Sequence, residues 1–224
     1  VARLAALAAQ GALTVYAWAL LPNHAHFLVR TGTRPLPRSM RRLLTGYAGA
    51  FNRRHRRTGH LFQNRYKSIV VEEERYLVEL VRSLHLNPLR GGLVQRLSDL
   101  RGYPWTGHSA LLGVVDRDWQ ETATVLAAFG QKRRRAIQRY EAFVREGLAQ
   151  GRRPELVGGG LIRSRGGWAQ VLSLRRKGSK VASDARILGS GDFVEGLLAE
   201  AARREKETLR LPRKVVDLAT LGRR

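Results

Sequence analysis

The chain has 224 residues, 43% of them hydrophobic, no cysteine, and a formal net charge of +23 from 41 Lys+Arg against 18 Asp+Glu. That length supports one large globular domain or two small ones, and the absence of cysteine excludes a disulfide framework and a thiolate zinc site, leaving histidine as the soft ligand. The charge points to a polyanionic partner, most simply nucleic acid, because the first acidic residue is Glu72 and every formal charge before it is positive.

Residues 1 to 11 are rich in Ala and Leu and predict the last turns of a helix, broken at Gly11. Tyr16 to Arg30 follows as two β-strands joined at Pro22-Asn23, a turn-favouring dipeptide between aromatic and β-branched residues. Side chains alternate along a strand with a rise of roughly 3.3 Å per residue, so His24 and His26 share a face about 6 to 7 Å apart while Ala25 points away. Two imidazoles so placed can grip one divalent cation, although a bare His-x-His is more often a pair of ordinary strand histidines.

Arg34-Pro35-Leu36-Pro37 ends the hairpin and opens a helix whose Met40, Leu43, Leu44, Tyr47, Ala48 and Phe51 predict a core face. Arg34, Arg38, Arg41, Arg42, Arg53, Arg54 and Arg57, with Arg56, flank it at a density of fixed cations that suits a phosphate backbone. Thr58-Gly59 turns the chain into residues 60–71, predicted as a strand, where Arg65 and Lys67 would meet phosphates. Phe62 and Tyr66 would either stack unpaired bases or pack on the sheet.

Glu72, Glu73 and Glu74 predict a helix N-terminus. Tyr76, Leu77, Leu80, Val81 and Leu84 form the buried stripe of that helix, which is expected to stop at Asn87-Pro88, before Gly91-Gly92. Ser83 and Asn87 lie one turn apart, nearly in line with Tyr76, and if the stripe faces the hairpin they lie over the two histidines. Residues 93–113 close this first domain.

Asp118 to Phe129 and Arg133 to Ala149 predict amphipathic helices separated by the basic run Lys132 to Arg135. Gly158-Gly159-Gly160 is a hinge candidate, without the Lys-Ser/Thr of a phosphate loop. Trp168 to Arg176, and Asp192 to Arg204 with Phe193, Leu197, Leu198 and Ala201 at helical spacing, predict a small all-α module. The expected division is a nuclease-like domain over residues 1–115, incomplete at its N-terminus, a helical connector over 116–157 and a helical module over 158–224. The chain starts without an initiator Met and ends soon after a new apolar pattern begins, so a fragment is expected. No apolar run reaches the roughly 18 residues of a membrane span and no signal-peptide pattern opens the chain, so the expectation is a cytoplasmic protein without a membrane partner.

Three blocks, Leu21-Pro22-Asn23-His24-Ala25-His26-Phe27-Leu28-Val29, Gly59-His60-Leu61-Phe62-Gln63-Asn64-Arg65-Tyr66-Lys67 and Leu84-His85-Leu86-Asn87-Pro88-Leu89-Arg90, carry a resemblance. In order and spacing they resemble the HUH single-tyrosine transposases, in particular the REP-associated tyrosine transposase-like proteins, over about residues 14 to 113. The resemblance implies an α+β fold, a ferredoxin-like antiparallel sheet with flanking helices, followed by an all-α extension. It implies a divalent metal, Mg²⁺ or Mn²⁺, on His24 and His26 with Asn87 as third ligand, and single-stranded or hairpin DNA as partner. A helix tyrosine would then displace a 3′-hydroxyl from a DNA phosphate and leave a 5′-phosphotyrosine link.

This chain departs from the pattern where the nucleophile belongs, carrying Ser83 in place of Tyr. A serine hydroxyl reaches several ångströms less far than a phenol and is a poorer leaving group, which opens a second reading, a hairpin-DNA-binding protein derived from such an enzyme that no longer cuts. The opening strand and most of the first helix expected of that fold would lie before Val1, leaving the sheet short unless another chain, such as a second copy in a homodimer, completes it. A histidine-triad hydrolase would need a third alternating histidine where the chain has Leu28.

Overall fold

The computed structural model describes residues 1–151, 153, 156 and 186–210. They fall into two compact units, residues 1–68 with 73–153 and residues 69–72 with 154–224. The fold class is α+β, as expected: a two-stranded antiparallel sheet with flanking helices and a helical C-terminal part, which also holds the short strand Ile187–Leu188 and so is not all-α. Among the described residues no helix is long and apolar enough to cross a membrane.

The first unit opens with α1 (Ala2–Ala9) and is organised around the hairpin of β1 (Leu13–Leu20) and β2 (Ala25–Thr31). Gly11, left-handed at φ +63, lets the chain leave α1 for β1. Gly32 closes the open end of the hairpin, where a β-carbon would lie 2.0 Å from the Gly11 carbonyl oxygen. Pairing runs from Leu13 opposite Thr31 to Leu20 opposite Ala25, interrupted by a bulge at Tyr16.

Each face of the hairpin is covered by different helices. On one face Leu13, Val15 and Trp18 of β1, with Phe27 and Val29 of β2, pack against Leu4 and Leu7 of α1 and against Met40 and Leu43 of α2 (Leu36–Arg54). On the other, Tyr16, Ala17 and Leu28 pack against Leu77, Val81 and Leu84 of α3 (Glu73–His85). The free edge of β1 is not left open to solvent. Leu20 donates its N–H to the Trp105 carbonyl at 2.8 Å, Gly107 to that of Trp18 at 3.0 Å and Glu121 to that of Val15 at 2.8 Å.

Three sequence expectations are corrected. Residues 60–71 are irregular except for β3 (Val70–Val71), so the predicted strand is absent over 60–69. The helix expected over 118–129 shrinks to α7 (Ala123–Ala127), because residues 120–121 are drawn out along β1 by the bond to Val15. The stretch expected to be a connector from residue 116 is instead part of the core. Val125 and Leu126 of α7, and Ala136, Tyr140 and Val144 of α8 (Arg133–Glu146), lie in the same buried cluster as Tyr16 and Val81.

Between α3 and α7 the chain makes only short turns of helix: α4 (Asn87–Arg90), α5 (Leu97–Leu100) and α6 (His108–Leu111). A buried Gln120 side chain ties this region to the hairpin, accepting from Trp18 Nε1 at 3.0 Å and donating to the carbonyls of Gly107 at 3.0 Å and Tyr16 at 3.3 Å. Arg82, 4% exposed, joins α3 to α8: its guanidinium lies 3.9 Å from the Phe143 ring and donates to Glu79 at 2.5 Å, Gln150 at 2.8 Å and the Phe143 carbonyl at 3.2 Å. Arg153 donates to the same Glu79 and Gln150 side chains at 2.8 and 2.9 Å, so the buried guanidinium sits in a shared polar cluster.

In the second unit β3 pairs in parallel with β4 (Ile187–Leu188). Ser190 caps α9 (Gly191–Arg210), its Oγ accepting from the Phe193 N–H at 3.3 Å while Glu72 accepts from the Ser190 N–H at 2.7 Å. The helix expected over 192–204 is thus present. The Gly158-Gly159-Gly160 hinge and the Trp168 to Arg176 helix lie outside the described residues.

Candidate metal and DNA site

The hairpin turn positions the two histidines. Leu21 N–H donates to the His24 carbonyl at 2.9 Å, which places His24 just before β2 and His26 within it. Their ring centroids are 4.9 Å apart with planes at 90°. The shared face expected from alternation is therefore present. His24 Nδ1 is 2.6 Å from Asn23 Oδ1; an amide oxygen only accepts, so Nδ1 donates and Nε2 is the nitrogen left to bind a metal. Burial first, and the neighbouring charge of His24 second, lowers the His26 pKa, which favours the neutral, metal-binding form. Both residues thus suit a divalent cation. Among the described residues, no group of three or more His, Cys, Asp and Glu side chains gathers in a metal-holding arrangement.

Alternation also says which face the pair is on. His26, Leu28 and Arg30 share one side of β2, and Leu28 packs in the cluster that contains Val81 of α3. The histidines therefore point to the α3 side of the hairpin. Helix α3 is pinned at both ends of that face. At its start Glu73 accepts from Tyr16 Oη at 2.8 Å and from Arg30 Nη2 at 2.5 Å and Nε at 3.1 Å. The Arg30 bond holds the Glu73 carboxyl below its usual pKa, while burial and the bond to Glu73 push the Tyr16 phenol up to about 12.

At the far end, the Asn87 carbonyl and the Leu21 side chain lie 3.1 and 3.5 Å from the place a β-carbon on Gly91 would take. From Glu73 to Ser83 the helix advances about 15 Å. From Arg30 back to His26, β2 covers about 13 Å. The helical path thus runs from the open end of the hairpin toward its turn, with Ser83 and Asn87 in the later part of that path.

Ser83 is half-buried, and Arg90 Nη1 lies 3.5 Å from its Oγ. Sequence reasoning missed Arg90 as a site residue, although its place seven residues after Ser83 puts it on the same side of a helical path. That path nearly persists through the expected stop at Asn87-Pro88: Leu86 has helical angles, its N–H donates to the Arg82 carbonyl at 3.0 Å, and the Arg90 N–H donates to the Leu86 carbonyl at 3.0 Å. Tyr76 is two turns back, roughly 10 Å from Ser83, and only 7% exposed.

The basic residues are arranged differently. Arg34, Arg38, Arg41, Arg42, Arg53, Arg54, Arg57, Arg65 and Lys67 are all exposed. Those on α2 belong to the layer on the opposite face of the hairpin from the histidines, so the structure does not gather them around His24 and His26. Arg42 also donates to Gln10 Oε1 at 2.7 Å, and Arg57 lies 5.9 Å from the centre of the Phe51 ring. A cavity of about 350 Å³ lies away from both groups, lined by Leu97, Arg101, His108, Glu141, Val144 and Arg145 among others. Of the pair, His24 is exposed and His26 half-buried. Comparison with known proteins finds no matching family model, curated protein or solved structure.

Proposed function

We propose that this chain is a transposase-type DNA-binding domain that recognises hairpin or single-stranded DNA and that, with Ser83 at the nucleophile position, does not itself cut through a phosphotyrosine. What supports the reading is the 4.9 Å histidine pair, with His26 on the face of the hairpin that α3 covers, and Ser83 beside Arg90 near the end of that helix. The acid-free first 71 residues supply the attraction for a polyanion.

In this reading His24 and His26 hold Mg²⁺ or Mn²⁺, with Asn87 or a water completing the site. A cation bound there would draw charge from a phosphate oxygen. Arg90 would meet the same phosphate, and Ser83 leaves the step without a phenol. Because imidazole suits Mn²⁺ better than Mg²⁺, manganese is expected to bind more tightly. Isothermal titration checks this: the chain should take up Mn²⁺ and the His24→Ala, His26→Ala double variant should not. Unchanged uptake in the double variant would make them plain strand histidines.

DNA binding itself is tested through salt. Four phosphate contacts imply about a hundredfold loss of affinity for a hairpin oligonucleotide between 50 and 200 mM salt. Arg41→Ala and Arg53→Ala should each weaken binding and reduce the slope by about one contact. An affinity indifferent to salt would rule the reading out.

A further inference from the structure

The apolar stripe of α2 outruns the sheet it lies on. Met40 and Leu43 are buried against the hairpin, with Leu36 and Leu44 beside them, but the same stripe continues to Tyr47 and Phe51, outside that cluster. Tyr47 is left 49% exposed. The chain after α2 folds back over this overhang. Arg57 donates its N–H to the Asn52 carbonyl at 2.8 Å, and the Asn52 side-chain amide donates to the Gly59 carbonyl at 2.9 Å. Two left-handed residues, Arg56 at φ +50 and Gly59 at φ +84, make the reversal.

The reversal builds a row of rings. Phe62, 39% exposed, comes to 6.1 Å from Tyr47; Tyr47 stands 6.0 Å from Phe51, and Phe51 4.2 Å from His55, with successive planes inclined by 40°, 38° and 35°. Fixed cations fringe the row. The Arg57 guanidinium lies over Phe51, Arg53 and Arg54 are exposed on the last turn of α2, and Arg65 and Lys67 follow Phe62.

We propose that Tyr47, Phe51 and Phe62 form a stacking platform for unpaired bases of single-stranded DNA, with Arg53, Arg54 and Arg57 taking the phosphates between them. The proposal rests on the DNA-binding reading above and extends it by giving the unpaired strand a seat on the face of the hairpin opposite the histidines. The exposed rings of Tyr47 and Phe62, backed by the half-buried Phe51 and set beside guanidinium groups, match a ligand that alternates flat apolar surfaces with anions, as single-stranded nucleic acid does. The centre of a protein interface, by contrast, is depleted of charge.

The test uses the full chain and a single-stranded oligonucleotide containing 2-aminopurine, whose fluorescence falls when the base stacks. The chain should quench it, and Tyr47→Ala with Phe62→Ala should abolish the quenching and weaken binding about tenfold or more. The slope of affinity against salt should not change, because no cation is removed. Tyr47→Phe should retain full affinity, which separates loss of a ring from loss of the fold. An abasic oligonucleotide of equal length should bind the chain and the double variant equally. If the double variant binds and quenches as the unaltered chain does, while hairpin binding remains salt-dependent, the platform is wrong and the DNA reading stands. If neither oligonucleotide binds even at low salt, both fall.

Discussion

Acidification from pH 7 to pH 4 is expected to destabilise the first unit by on the order of 3 kcal/mol through His108 alone. Tyr140 is fully buried, and its hydroxyl lies 2.8 Å from His85 Nδ1 and 2.8 Å from His108 Nδ1. A hydroxyl has one proton to give, so where one imidazole accepts from it the other donates to it, and the accepting ring is neutral. Burial, and second the charge of Arg101, lowers the His108 pKa from 6.5 to about 4, while burial and then His108 push His85 well below its ordinary value.

The unfolded chain takes up a proton on His108 below about pH 6.5, the folded chain only near pH 4, so stability is complete above the first value and drains away toward the second. Replacing Tyr140 by Phe leaves two buried ring nitrogens unpaired and should cost roughly 2 to 4 kcal/mol at pH 7. Urea unfolding at several pH values measures both effects. A midpoint that did not move between pH 7 and pH 4, or a Tyr140→Phe variant as stable as the original, would mean that this buried network contributes nothing to the fold.

None of that network is visible in the sequence, and the reason is physical. Tyr140 and His108 are 32 residues apart and His85 lies 55 before Tyr140, so only tertiary packing brings them together. Periodicity reports how a segment contacts its surroundings, and where one element meets one partner it was informative. The hairpin, α1, α3, α8 and α9 lie where alternation or helical spacing predicts them, and the shared face of His24 and His26 follows from the period of two.

It misled where a partner ends or intrudes. The stripe of α2 predicts a core face as far as Phe51, but the sheet ends sooner and Tyr47 remains half-exposed. Residues 60–69 have the aromatic and apolar content of a strand, yet they turn back over α2, where Phe62 meets Tyr47, and make no ladder. At 118–121 the bond from Glu121 to β1 outweighs helical propensity. For the candidate site, sequence places His24 and His26 on the hairpin and Ser83 on α3, but puts Arg65 and Lys67 on a strand that does not form. It does not show that the cations of α2 lie on the other face of the hairpin, because that depends on which side of the sheet each helix covers.

A covalent link to DNA is expected from the Ser83→Tyr variant and not from the chain as it stands. The geometry gives the reason: α3 covers the face of the hairpin to which His26 points and runs toward the hairpin turn, and Arg90 already sits 3.5 Å from the Ser83 hydroxyl. A phenol at that position extends several ångströms further, toward the phosphate that Arg90 and a metal on His24 and His26 would hold. Its oxygen would attack phosphorus, the 3′-hydroxyl would leave with the bonding pair and take up a proton, and a 5′-phosphotyrosine would remain. A labelled single strand carrying a hairpin, incubated with Mn²⁺ and run on a denaturing gel, reports the link as a shifted band. The band should appear with Ser83→Tyr, persist when Tyr76→Phe is added, and vanish with His24→Ala and His26→Ala. Tyr76, buried and two turns away, is not placed to act. A band from the unaltered chain that disappeared with Tyr76→Phe would instead make Tyr76 the nucleophile, and α3 would have to turn its first half toward the histidines.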